Sequence, residues 1–484
     1  MEFTSTRNSS LRVSASEAIS RGIAPDGGLF VPVEFPQVDY QAFSGLTYPQ
    51  TAEKVLRLFL TDYDTQFISR AAEDTYGEAF AGKAGYINKV QNGVYALELW
   101  HGPTCAFKDY ALQLMPKLLV QAKKNLGTQE MTKILVATSG DTGKAALAGY
   151  AGLENIKIAV FYPNSGTSEM QRLQMVTQEG DNVQVYAVNG NFDDAQTAVK
   201  KAFTSASLAQ QLAGKGEVLS SANSINWGRL VPQIVYYFYT YAQMVESGAI
   251  TAGDKLSFCV PTGNFGDILA GYYAKRMGLP VGKLICASNK NNVLTDFLQS
   301  GTYNAKRDFY KTTSPSMDIL VSSNLERLLY HISGSSEQVS AWMRSLNENG
   351  TYTVSAQNLT DIQATFGCGW ANDEAVAEEI AHQYRDNHYV SDPHTAVAFY
   401  VAEKALNSSE PYVVLSTANA HKFPCDVLRA LGQSVPENEF DAMQALASFT
   451  GLPVPPSLAA LQSKPVRFST VINPQDILQT ALTL

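Results

Sequence analysis

The stretch from Leu99 to Leu119 reads LWHGPTCAFKDYALQLMPKLL, and the rest of the chain is best read outward from it. A turn-forming Gly102-Pro103 pair runs into a single lysine, Lys108, at the head of an apolar-periodic segment. Leu112, Met115 and Leu119 recur at helical spacing with Leu118 beside them, which predicts a helix starting near Phe107 or Lys108. Pro116 inside that pattern should kink the helix or shorten its hydrogen-bond ladder. A lysine among small and apolar residues is partly desolvated, which lowers its pKa and frees its amine for addition to a carbonyl. The same pattern also describes an ordinary exposed helix lysine, so its meaning depends on its surroundings.

Those surroundings are globular. The 484 residues are 45% apolar and 17% charged, enough for a large core in two or three domains. A net charge of −9 argues against nucleic acid as a partner, since a phosphate backbone calls for a basic face. Five scattered cysteines with no CxxC pair read as free thiols in a reducing compartment. The N-terminal residues lack the apolar core of a signal peptide, and no apolar run is long enough to span a bilayer. The expectation is a cytoplasmic protein with no membrane partner.

From Val94 onward, strands and helices alternate. Apolar runs at 133–137, 157–162, 183–188, 217–220, 256–260, 283–287 and 412–416 read as strands, most followed by helical segments. Such βα units imply parallel sheets covered on both faces. Leu230 to Val245 reads as a tyrosine-rich helix, taken as packing at a passage between domains. The rhythm breaks from about Thr302 to Asp392, a region read as a solvated insertion. Strand ends carry TSGDTG (138–143) and TGNFGD (262–267) loops, where backbone N–H groups and helix N-termini gather anions. Gly140 to Lys144 is no Walker loop: the spacing is short, and Ala145 stands where a hydroxyl should be. The six histidines show no metal spacing, so no metal site is expected.

HGPTCAFKD (101–109) closely resembles the lysine motif of the threonine synthase family, pyridoxal-phosphate (PLP) enzymes of the tryptophan-synthase-β type. Ser5-Thr6-Arg7 and RGIAPDGGL (21–29) resemble that family's N-terminal signature, and the motifs follow in family order to about Phe423. The resemblance implies an α/β fold of two twisted parallel-sheet domains with a helical insertion in the larger. Residues 1–93 would contribute to the large domain, 94–229 would form the smaller one, and 230–484 the large one with insertion 302–392.

The resemblance also implies roles. Lys108 would hold PLP as a Schiff base and act as the mobile acid–base group. Gly263, Asn264, Phe265, Gly266 and Asp267 would cup the cofactor phosphate, and Thr417 would face the pyridine nitrogen. Asp141 would lie near the phenolic oxygen, where many relatives outside the threonine synthases have Asn. Thr104, Ser139, Gly140 and Thr142 would serve the substrate at its α-carboxylate side. Asn223, Ser224, Asn226 and Arg229 would hold its phosphate. The family usually shows His and Pro after the Thr-Ala of the last strand end; here stand Asn419 and Ala420, and His421 one step later could compensate. His101 could assist or simply be positioned, and His394 is read as structural. The implied reaction converts O-phospho-L-homoserine and water to L-threonine and phosphate, as a monomer or homodimer. The alternatives are a phospholyase or dehydratase giving a 2-oxo acid, and a non-catalytic PLP-fold binding protein.

Overall fold

Apolar runs without polar alternation can be buried on both faces, and here they assemble into two sheets. The computed structural model describes residues 1–164, 167–190, 192–406 and 410–484. The larger sheet runs Phe366–Trp370, Val281–Ser288, Leu256–Pro261, Tyr412–Ser416, Val94–Glu98, Tyr86–Gln91. Its pairings are parallel except the outermost, between Tyr86–Gln91 and Val94–Glu98. The smaller sheet runs Val471–Ile472, Val183–Val188, Ile156–Pro163, Met131–Ala137, Glu217–Ser221 and is parallel throughout. The α/β class and all seven strands read from the sequence are present.

Two domain limits shift. Val94–Glu98 pairs with Tyr412–Ser416, so the smaller domain does not open at 94. Val471–Ile472 pairs with Ala187 and Val188, so the tail of 230–484 returns to the smaller sheet. Parallel partners are joined by long crossovers, and no local pattern encodes which strands meet.

Region 302–392 also differs from a solvated insertion. Phe366–Trp370 (FGCGW) is an edge strand of the larger sheet. Glycine disfavours strands, which hid this one. A Cβ on Gly369 would lie 2.8 Å from Val401 Cγ1 and one on Gly367 2.6 Å from Ile285 Cδ1, so close packing requires both. The buried Ser314 and Met317 belong to a loop that turns inward to the cleft described below.

The helix expected near Phe107 is two helices, Asp109–Leu112 and Met115–Leu126. Pro116 lies in the first turn of the second, where its missing N–H costs nothing, so it starts a helix rather than kinking one. Trp227–Glu246 is almost wholly buried, packed on Tyr48–Phe59 and Gly266–Arg276, and it carries the chain from the smaller sheet to the larger. The two N-terminal signature segments meet: Asp26 Oδ1 accepts from Ser5 Oγ at 2.8 Å, and Arg7 forms a fork with Glu326 at 2.9 and 2.8 Å. All five cysteines are free. Among the described residues no helix is long and apolar enough to cross a membrane.

Candidate active site

The carboxyl ends of both sheets face one cleft, the position where open parallel sheets gather ligands. Lys108 enters it from a turn stitched to the Tyr412–Ser416 strand end. Phe107 N donates to the Thr417 carbonyl at 2.8 Å, and Asn419 N to the Cys105 carbonyl at 3.1 Å. Asp109 closes the turn, accepting from Thr104 N at 2.8 Å, Thr104 Oγ1 at 2.7 Å and Gln113 Nε2 at 3.0 Å. A Cβ on Gly102 would lie 2.6 Å from Asp109 Oδ2, which explains the glycine.

Lys108 Nζ donates to Ser316 Oγ at 3.1 Å and stands 3.8 Å from Asp141 Oδ2. No carboxylate lies within hydrogen-bond distance of it among the described residues. Burial is the largest influence on this amine and lowers it; Asp141 pulls it back, Lys422 and Arg229 push it further down, and the pKa settles at about 8. Asp141 opens the helix Asp141–Tyr150. Burial alone would raise its carboxyl, but Lys422, Lys108 and hydrogen bonds from Lys422 and Gln171 hold it well below the usual carboxylate range.

Arg229, 3% exposed and near the start of Trp227–Glu246, also lines the cleft. Its Nη1 donates to the Ala222 carbonyl at 2.7 Å, and its Nε has no partner. No carboxylate pairs with it among the described residues, and burial lowers its pKa to about 10. A buried guanidinium without a counter-ion is an anion site by its chemistry. Ser224 and Asn223 line the same wall.

Gly263, Asn264, Gly266 and Asp267 line the cleft at the end of Leu256–Pro261. A Cβ on Gly266 would stand 3.6 Å from Asn324 Nδ2, 3.7 Å from Gln233 Nε2 and 3.9 Å from Ser224 Cβ, projecting into a cradle of polar groups. Burial pushes the Asp267 carboxyl up to about 7, against a hydrogen bond from Ile268 N. A partly neutral carboxyl therefore lines this cup at neutral pH. Thr417, Ser139 and Thr142 also line the cleft.

Four expected residues do not line the cleft. Thr104 is fully occupied by Asp109, and its carbonyl accepts from Lys422 and Gln174. Asn226 caps its helix, accepting from Gly228 N at 2.9 Å and donating to the Ile19 and Ser221 carbonyls. Gly140 (φ +149°) gives room to Gln171, whose Cδ would lie 2.5 Å from a Cβ there. Phe265, at φ +63°, turns its ring into the core against Phe366. These residues shape the site without facing it. Nor do Asn419 and His421 face it: Asn419 caps the Ala420–Lys422 turn, and His421 is buried with its Nε2 unpartnered. His101 pairs with Glu98 at 2.7 Å outside the cleft, a positioned residue.

Sequence reasoning missed three residues. Ser316 arrives from the supposed solvated region. His394, read as structural, lines the cleft; its Nε2 accepts from Ser316 N at 3.1 Å while Nδ1 donates to Asp392 at 2.6 Å, a link that holds the 315–317 turn in place. Lys422, fully buried, bonds Asp141 Oδ1 at 2.5 Å. A lone lysine in the apolar run after Ala420 was the only signal for it.

The chain matches the family descriptions "Threonine synthase N terminus" over residues 2–76, "Pyridoxal-phosphate dependent enzyme" over 84–418 and "Threonine synthase, C-terminal" over 395–481. It is 40% identical over 442 residues to the threonine synthase of Pseudomonas aeruginosa, covering 90% of this chain and 91% of that one. It is 38% identical over 454 residues to human threonine synthase-like 1, covering 90% of this chain but 61% of that longer protein. The crystal structure of PLP-bound threonine synthase from Brucella melitensis superposes with a TM-score of 0.87 at 35% identity, covering 100% and 99% of the two chains.

Proposed function

Because the chain belongs to the threonine synthase family of pyridoxal-phosphate-dependent enzymes, we propose that it converts O-phospho-L-homoserine and water to L-threonine and phosphate, with Lys108 and Arg229 acting in the same cleft. The observation that carries this reading is that one cleft brings together an amine with no carboxylate at hydrogen-bond distance, a buried guanidinium with no carboxylate partner among the described residues, and a glycine cup.

The cleft fits the cofactor. Gly266 leaves a backbone approach that a side chain would fill, and the helix Gly266–Arg276 begins there, as a phosphate prefers. Thr417, which lines the cleft, would offer the pyridine nitrogen a hydroxyl rather than a carboxylate, a choice that would not enforce a protonated ring and would favour elimination over transamination. PLP supplies, when bound, the electron sink for the pair released at the substrate Cα.

The chain's own residues do the rest. Lys108 takes the Cα proton and shuttles the Cβ proton, work suited to an amine poised near about 8. Ser139 and Thr142, beside the N-terminus of Asp141–Tyr150, receive the substrate carboxylate. Arg229, Ser224 and Asn223 hold the phosphate as the Cγ–O bond breaks and its negative charge grows. Lys108 returns protons to Cγ, which becomes the methyl group, and to Cα, while water adds its hydroxyl at Cβ and its proton ends on the released phosphate.

Product analysis by NMR after incubating the PLP-loaded protein with O-phosphohomoserine tests the reading. Threonine with equimolar phosphate is the expected result. A 2-oxo acid with ammonia would make the protein a lyase on the same scaffold. The cup has its own test in Gly266→Ala. The added Cβ makes only ordinary contacts and favours the helix, so the melting temperature should hold. PLP should bind at least about tenfold more weakly, since losing one hydrogen bond to a charged group costs about 1.5–3 kcal/mol. Unchanged affinity by fluorescence titration would place the cofactor phosphate elsewhere.

A further inference from the structure

Lys108, largely buried, and the fully buried Lys422 flank a single carboxylate. Asp141 Oδ1 accepts from Lys422 Nζ at 2.5 Å and from Gln171 Nε2 at 2.9 Å. Asp141 Oδ2 accepts from Ser316 Oγ at 3.3 Å and lies 3.8 Å from Lys108 Nζ. Lys422 is 0% exposed, and its other bond is to the Thr104 carbonyl at 3.2 Å.

We propose that Lys422 is a positioning residue that biases the charge of Lys108: by taking the direct bond to Asp141, it leaves the Lys108 amine facing a hydroxyl, so that it gives up its proton more readily to capture an aldehyde. The proposal rests on Lys108 being the cofactor lysine, and nothing in the family comparison assigns Lys422 a part.

Two ammoniums and one carboxylate would leave a net positive charge in a site largely shut from water, and Arg229 adds another. Shedding one proton relieves this, and the geometry decides which lysine sheds it. Lys422 has a charged partner at bonding distance and a carbonyl that only a donor can satisfy. Lys108 has only Ser316 Oγ, which a neutral amine satisfies as well. The other groups facing Lys108 do not reverse the outcome. Arg229 acts in the same direction as Lys422. Asp267 opposes it, but that carboxyl is itself pushed up to about 7. His394 turns an accepting nitrogen toward the Ser316 turn, and Asp318 is engaged by Asn289, Asn291 and Thr312.

The test measures how fast the full-length protein, stripped of cofactor, captures added PLP as a function of pH, followed by its yellow absorbance. Capture uses the uncharged amine, forms a carbon–nitrogen bond and expels water, so the rate reports the charge on Lys108. The parent chain should show a midpoint near about 8. In Lys422→Met, Asp141 turns wholly to Lys108, and the midpoint should rise by about one pH unit or more, with at least about a tenfold loss of rate at neutral pH. Lys422→Arg, which keeps the charge, should retain the parent midpoint. A merely structural role would slow capture at every pH and leave the midpoint where it was, and that result overturns the proposal.

If Lys422→Met does not fold, Lys422→Met/Asp141→Asn leaves neither partner charged. Its midpoint should lie above that of Asp141→Asn alone, and coincident midpoints overturn the proposal. Borohydride reduction with peptide mapping, run alongside, separates this from the functional reading. Cofactor fixed on another lysine defeats that reading. Cofactor fixed on Lys108 with an unmoved midpoint defeats the role of Lys422 alone.

Discussion

Replacing Lys108 with alanine is expected to abolish threonine formation while leaving the protein at least as stable as before. A positioned acid–base group contributes about 10²–10⁴-fold on its own. This amine would also fix the cofactor, so kcat should fall by at least about 10⁴-fold. Borohydride should then fix no cofactor at this position. The stability claim follows from burial. The folded-state pKa of Lys108 is lowered from 10.5 to about 8, so the unfolded chain binds the proton more readily. That penalty is fully present below about 8 and fades as pH rises toward the unfolded value. Lys108→Ala should therefore melt higher below pH about 8, with the gain shrinking at alkaline pH. Its removal leaves Asp141 bonded to Lys422 and Gln171. Turnover within tenfold of the parent would remove Lys108 from the chemistry.

Arg229→Met is expected to separate binding from folding in the same way. The methionine fills most of the volume but offers no donor. Two charge-assisted bonds at about 1.5–3 kcal/mol each imply a loss in kcat/KM of at least about a hundredfold. In the free protein the arginine has an unpartnered Nε and no counter-ion among the described residues, so the variant should melt at or above the parent temperature. Inorganic phosphate should raise the parent's melting temperature by mass action and leave the variant's unmoved. An unchanged kcat/KM would show that the substrate phosphate sits away from Asn223–Arg229.

Much of this was legible in the chain itself. The seven strands announced themselves because buried parallel strands are short apolar runs ending in Gly, Ser, Thr or Asn. The Gly263–Asp267 loop was legible because it stands at such an end, whereas Lys108 was legible from a turn running into a helix start and, like Arg229, from the motif that carries the family resemblance. What stayed hidden depended on distance along the chain. Ser316 meets Lys108 from an inward loop, and His394 meets Ser316 from a helix start far away in sequence; neither carries a spacing that reports it. Thr104 and Asn226 share motifs with residues that face the cleft, yet a motif does not say which way a side chain turns. Here one closes a turn and the other caps a helix. FGCGW failed as a strand because its glycines answer to close packing, Gly369 against Val401 of a helix and Gly367 against Ile285 of the neighbouring strand.

The pairing of Val471–Ile472 with Val183–Val188 has a consequence for biosynthesis. Val471 meets Ala187, which lies more than half the chain's length before it. While the ribosome makes the intervening residues, the outer side of Val183–Val188 presents unpaired N–H and C=O groups, a template for any passing strand. Local βα contacts can assemble the other four strands early, but closing this edge waits for residue 471 to emerge. The nascent chain thus carries its most adhesive surface for most of its own translation, and it is the stretch where a chaperone would do the most good.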